Sequence, residues 1–204
     1  MTSSPSSMRA VRLSAPGPVD NLRVVTLPLP PERDGWVRIR VEAFGLNRSE
    51  LKLRLGVSEG VTFPRVPGIE AVGTVDAAPD GSGLSVGQKV VAMMGDMGRT
   101  YDGGYAEYTS VPLAQVLPVD TDLPWELLGA LPEMVQTAYG SLTTGLDLQP
   151  GQTVLIRGGH LVGGVGCGCA CGLAWCHGVV HHPAGRPSCL PGGARGRPSA
   201  ARHR

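Results

Sequence analysis

The fold class this sequence predicts is a β-rich, barrel-like domain, followed by helices and by the first strand of a truncated α/β nucleotide-binding unit, with a disordered C-terminal tail. Three observations predict it. Short apolar stretches separated by Gly and Pro fill residues 8–118, the pattern of a closed or sandwiched sheet. Helical spacing begins only at Pro124. Finally, Thr153-Val154-Leu155-Ile156-Arg157 runs into Gly158 and Gly159, as a strand does when it feeds a phosphate turn at a helix N-terminus.

Residues 8–13 alternate apolar and basic side chains, and residues 22–27 follow after a Pro/Gly/Asp/Asn turn, so the two read as antiparallel strands. Residues 36–43 are the clearest strand, because strict alternation leaves one face to be buried. Residues 47–54 read as a short helix, with Asn47 as cap and Gly56 as stop. Further strands are predicted over 69–75, 87–94, 105–111 and 115–118. The period then changes: 125–131 and 133–142 are helical, with Pro132 suited to a first turn. Gln149-Pro150-Gly151-Gln152 turns the chain into the strand at Thr153.

The overall net charge of +1 averages two unlike compositions. Residues 1–159 hold 13 basic and 17 acidic side chains; residues 160–204 hold five arginines and no Asp, Glu or Lys. All five cysteines and all five histidines lie in that tail. The body, having no thiol, has no disulfide framework and no Cys-ligated metal. Its Ser-rich start has no apolar core and is no signal peptide, so a cytoplasmic protein is expected. Residues 161–180 lack formal charge, but six glycines and few large apolar side chains argue against a membrane span. No nucleic-acid or membrane partner is expected. The expected layout is a disordered 1–7, a barrel domain over 8–123, connecting helices and a first nucleotide-domain strand over 124–159, and a disordered tail over 160–204.

Four stretches carry a resemblance: Ala43-Phe44-Gly45-Leu46-Asn47, Pro67-Gly68-Ile69-Glu70-Ala71-Val72-Gly73, Gly103-Gly104-Tyr105-Ala106-Glu107-Tyr108, and Gln149-Pro150-Gly151 with the strand beyond. In this order they resemble the medium-chain dehydrogenase/reductase superfamily, over roughly residues 8–159. That family places a GroES-like catalytic barrel before a Rossmann domain, with the active site in the cleft. Zinc-dependent members have Cys where Asn47 stands and His where Ile69 stands. Neither Asn nor Ile replaces a thiolate or imidazole ligand, so no metal is expected and the chain is similar to the zinc-free, quinone-reductase-like branch.

The resemblance implies hydride transfer from NADPH to a quinone or a conjugated carbonyl. It implies that Asn47 positions the nicotinamide or the substrate carbonyl and that Thr137 hydrogen-bonds the cofactor. Gly158 and Gly159 would start the phosphate loop, and Lys52, where many quinone reductases have Tyr, would meet the substrate. A small-molecule substrate is thus the implied partner, and a homodimer stays open as the assembly. Each residue also has a plainer reading. Asn47 is a helix cap, Thr137 a helix-surface hydroxyl, Lys52 a solvated helix face, and Glu70 a buried structural partner for an Arg or for backbone amides.

The tail admits two explanations. Cys167-x-Cys169-x-Cys171 with Cys176-His177 offers soft metal ligands, but structural zinc sites use wider C-x₂₋₄-C pairs. The other is a shifted reading frame: with synonymous codons chosen freely, the segment from His160, displaced by one base, can encode TSSVGLAAAVLAGLHGAT. That supplies the Gly-containing turn and apolar helix the nucleotide unit lacks. The chain as written is expected to have negligible NADPH affinity, a strand at Thr153 without parallel neighbours, and either lost activity or a role as a non-catalytic GroES-like binding module.

Overall fold

The computed structural model describes residues 5–157 and two later strands, His177–His181 and Ser188–Cys189. The chain divides into two compact units, Met1–Glu133 and Met134–Arg204.

In the first unit, β1 (Ser7–Leu13) and β2 (Leu22–Pro28) form an antiparallel hairpin running from Ser7 opposite Pro28 to Leu13 opposite Leu22. A five-stranded antiparallel sheet follows, built from β3 (Trp36–Ala43), β4 (Glu70–Ala77), β5 (Lys89–Met93), β6 (Tyr108–Pro112) and β7 (Val116–Pro118). Its spatial order is β6-β3-β4-β5-β7, so the strand with the cleanest alternation lies inside the sheet. Val37 and Ile39 of β3 are fully buried against Ala71, Val75, Val90, Ala92, Met97 and Val111. Each such aliphatic side chain stabilises the fold by about 1.5–3 kcal/mol through apolar burial. The result is a curled half-barrel followed by helices, as predicted.

Two boundaries differ from expectation. The strand predicted over 105–111 is divided. Tyr105 and Glu107 bond to the hairpin, where the Val11 N–H donates to the Tyr105 carbonyl (2.8 Å) and the Glu107 N–H to the Arg9 carbonyl (3.0 Å), while the Glu107 carbonyl already accepts the Val41 N–H of β3 (2.9 Å). Only from Tyr108 does β6 pair with β3. The segment thereby stitches hairpin to sheet. The helix predicted over 125–131 is shorter too: α2 is Trp125–Leu128. Beyond it the Ala130 and Leu131 amides bond three residues back, tightening the turn before Pro132.

α1 (Arg48–Arg54) is capped by Asn47 and stopped at Gly56, whose φ of +75° is the left-handed conformation glycine adopts freely. α3 (Pro132–Gly140) gives way at Ser141–Gly145 to a π-turn, where the Ser141 and Thr143 hydroxyls donate to carbonyls four residues back (2.7 and 2.8 Å). Such back-bonding competes with helical geometry, which is why the helix predicted over 133–142 changes form there.

In the second unit β8 (Thr153–Arg157) pairs in parallel with β9 (His177–His181), in register from Thr153–His177 to Arg157–His181. β10 (Ser188–Cys189) pairs antiparallel on the far side of β9. The expectation that β8 has no parallel neighbour is therefore corrected. The adjacent β-branched Val179 and Val180 give this stretch strand character inside a Gly/Cys/His-rich context. The rest of the expected disordered tail lies outside the described residues, as do Gly158, Gly159 and the cysteines at 167, 169, 171 and 176.

Candidate active site

Asn47 leaves the end of the β3 loop in extended conformation and opens α1. Three residues on, in the helix's first turn, Glu50 reaches back. Its Oε2 accepts the Asn47 backbone N–H (2.9 Å), and its Oε1 accepts the Ile69 N–H (3.0 Å) from the residue leading into β4. One carboxylate thus ties the start of α1 to the start of β4. The next residue, Glu70, completes the arrangement: Oε1 accepts from Asn47 Nδ2 (2.7 Å) and Oε2 from the Glu133 N–H (2.8 Å) in the first turn of α3.

Glu50 and Glu70 are both buried. Loss of hydration pushes each carboxyl above the usual carboxylate range, and the N–H groups they accept from pull partly the other way. Glu70 is raised further by the neighbouring Glu133 and Glu50 charges. Tyr105 stacks on Phe44 with ring centroids 4.6 Å apart. Burial first, then the Glu50 and Glu70 carboxylates, push its phenol upward, so it stays a neutral hydroxyl.

Room for this cluster comes from missing side chains. A Cβ on Gly45 would strike Glu70 Oε1, and one on Gly104 would strike the Glu70 carbonyl. Gly68 has a φ of +108°, and a Cβ there would stand 2.7 Å from the Gly104 nitrogen and from the Tyr105 ring. Three of the four resembling stretches therefore converge on Glu70.

Of the residues singled out from sequence, Asn47 lies at the centre of this cluster. Lys52 lines an adjoining cavity of about 220 Å³ that shares Glu50 and Ile69 with it and also includes Ser58 and Arg99. Thr137 lies on α3 in the second unit, where its carbonyl accepts the Ser141 hydroxyl. Glu70 is a buried partner for a backbone amide, one of the two expected alternatives, and also takes the Asn47 side-chain amide, which was not expected. Sequence reading passed over Glu50, although the Asn-x-x-Glu spacing of a capping box marks it. Tyr105 carried no signal beyond its motif. Among the described residues no group of three His, Cys, Asp or Glu side chains is placed to hold a metal, and no helix is long and apolar enough to cross a membrane.

Residues 33–121 match the alcohol dehydrogenase GroES-like domain. The human synaptic vesicle membrane protein VAT-1 homolog-like is 34% identical over 161 residues, covering 78% of this chain and 36% of that protein. Its crystal structure aligns with a TM-score of 0.76 over 85% of this chain and 55% of the other. A probable quinone oxidoreductase of Schizosaccharomyces pombe is 32% identical over 158 residues, which cover 76% of this chain and 45% of the relative. The chain belongs to the zinc-free, quinone-reductase-like branch of the medium-chain dehydrogenase/reductase superfamily. The structure of mycobacterial Rv1454c complexed with NADPH aligns with a TM-score of 0.73 at 26% identity, over 85% of this chain and 52% of that one. The chain spans less than half the length of these curated relatives.

Proposed function

We propose that the barrel is the acceptor-side half of an NADPH-dependent reductase of quinones or conjugated carbonyls. The observation that carries this reading is the Asn47 amide, held by Glu70 at the position where zinc-dependent relatives place a metal-binding thiol. An amide there orients a carbonyl by hydrogen bonding instead of by Lewis-acid polarisation. Lys52, on the same helix and lining the adjoining cavity, would meet the acceptor. Tyr105, kept protonated by burial, adds a neutral hydroxyl to the same cluster.

The residues on the cofactor side fit a dinucleotide in part. Parallel pairing of β8 with β9 is the strand arrangement of a nucleotide-binding unit. Gly158 and Gly159 follow β8 directly in sequence and would open the phosphate turn, while Thr137 would hydrogen-bond the cofactor. NADPH, when bound, supplies the hydride. The stretch after Gly159 has no helix-forming sequence whose N-terminus could seat a pyrophosphate, which supports both the shifted-frame reading and negligible NADPH affinity in the chain as written.

The test compares two proteins for NADPH oxidation with a benzoquinone as acceptor. One is the 204-residue chain. The other is a chimera in which residues 1–159 are joined to the nucleotide domain of the S. pombe relative. Turnover by the chimera, lost in Asn47→Ala, is expected, with none from the chain as written. A folded chimera that reduces no quinone or conjugated carbonyl would leave a non-catalytic binding module as the better reading.

A further inference from the structure

Asn47 has two faces that differ chemically: an amide nitrogen that only donates and a carbonyl oxygen that only accepts. Which of them a ligand meets depends on the flip of the amide about its terminal bond. Nothing in the sequence sets that flip. In the fold, one neighbour does.

Glu70 presents acceptors on both arms of its carboxylate. Oε2 is engaged by the Glu133 backbone N–H at 2.8 Å, and Oε1 by Asn47 Nδ2 at 2.7 Å. A flipped Asn47 would set its carbonyl oxygen against a carboxylate oxygen, placing two acceptors in contact inside a buried site, which is strongly unfavourable. The Glu50 carboxylate does not impose the same choice, because it takes the backbone N–H of Asn47; the Glu50 backbone N–H meets the Asn47 side chain in the capping box and favours the same flip. Gly45 keeps the arrangement open, since any Cβ at that position would occupy the space of Glu70 Oε1.

We propose that Glu70 is a positioning residue that fixes the flip state of the Asn47 amide, so that Asn47 offers its one remaining N–H to a ligand. The inference deepens the reading of Asn47 as the residue that meets nicotinamide or substrate, and it rests on that reading for its functional meaning. A ligand that accepts a hydrogen bond fits what is left of Asn47, as the carbonyl oxygen of a quinone, an enone or a carboxamide does. Glu70 itself touches no ligand in this account. It acts through Asn47, and its second oxygen fixes the start of α3 in the same act.

The experiment reads the side-chain amide directly. ¹H–¹⁵N spectra of the 204-residue chain are recorded, with the Asn47 Nδ2 pair assigned by its disappearance in Asn47→Ala. The expected result is a pair whose two protons are well separated in shift and slow to exchange with solvent. Glu70→Gln, which offers a donor on one arm and an acceptor on the other and so admits both flip states, should narrow the separation and speed exchange on the order of tenfold. Glu50→Gln should leave the pair in place. An Asn47 pair unchanged by Glu70→Gln, or disturbed equally by Glu50→Gln, overturns the proposal. Should Glu70→Gln fail to fold by circular dichroism, Gly45→Ala, whose Cβ would meet Glu70 Oε1 first, displaces the carboxylate and is read by the same signal and the same criterion. The signal needs neither cofactor nor turnover. A chimera inactive toward quinones alongside a Glu70-dependent Asn47 signal therefore sinks the functional reading and supports this one.

Discussion

The side-chain nitrogen of Asn47 lies 2.7 Å from Oε1 of Glu70, a hydrogen bond that spans 23 residues of sequence and joins the start of α1 to the first residue of β4. Its donor is neutral and its acceptor a buried carboxylate, so the pair is sensitive to a single change of atom. Asn47→Asp replaces the donor with a second carboxylate. At neutral pH the variant is expected to lose about 2–4 kcal/mol, from like-charge repulsion and the lost charge-assisted bond. Acidification should return part of that loss as one of the two acids takes a proton. Urea unfolding midpoints of wild type and variant at acidic and neutral pH check both statements.

Glu50 and Glu70 also give the native protein a pH dependence of unusual sign. Their folded pKa values are raised above the ordinary 4.5 by burial. Just above that value the native state holds more protons than the unfolded chain, so stability falls as pH rises through the window, and the penalty is complete once both carboxyls are ionised. Glu107, held low by Arg9, works in the opposite sense: its contribution is present at neutral pH and lost as pH falls. That pair is exposed and contributes little. Glu50→Gln is expected to flatten the decline as pH rises above the ordinary 4.5, measured as unfolding free energy against pH.

Gly73 lies opposite Val41, where the β3–β4 register shifts. A Cβ there would run into the Arg40 carbonyl oxygen, which is backbone and cannot rotate away. Gly73→Ala is expected to part the two central strands at a cost of about 3 kcal/mol. Gly81, with φ +72° and nothing within 4 Å of its would-be Cβ, is the control. Gly81→Ala should cost only the backbone strain, about 1 kcal/mol. Urea unfolding of the two variants separates crowding from conformation.

Arg38 Nε meets Asp76 Oδ2 at 2.5 Å with both side chains largely covered, and Arg38 Nη1 donates to the Pro30 carbonyl at 3.1 Å. Arg38→Met keeps the stem and removes the charge. A fully buried pair broken this way loses about 3–5 kcal/mol. With residual exposure of 12% and 13%, about 2–3 kcal/mol is expected after discounting for solvent screening. Thermal and urea unfolding report it.

How much of this was legible depended on whether the cause was local. β3 was legible because alternation at 36–43 is a property of the segment itself, and α1 because Asn47 and Gly56 bound it. The division of the strand predicted over 105–111 was not, since its first residues bond to a hairpin almost a hundred residues earlier in the chain. The parallel partner of β8 was missed for a similar reason: Val179 and Val180 are two β-branched residues in a context whose average composition argues for no structure. At the site, residue types pointed to Asn47 and Lys52. Glu70 was expected to be a buried partner for an Arg or for backbone amides, and the Glu133 N–H fits the second; nothing in a one-dimensional reading brings Glu70 to the Asn47 side chain. Glu50 was within reach of a capping-box reading and was passed over.

Gly45, Gly68 and Gly104 each leave room that a methyl group would take, and all three border the same few atoms around Glu70. A side chain at any one of these glycines cannot be accommodated without moving backbone or Glu70, so the three sequence signatures act as a single packing solution. A substitution outside that knot, as at Lys52 beside its own cavity, meets none of those steric demands.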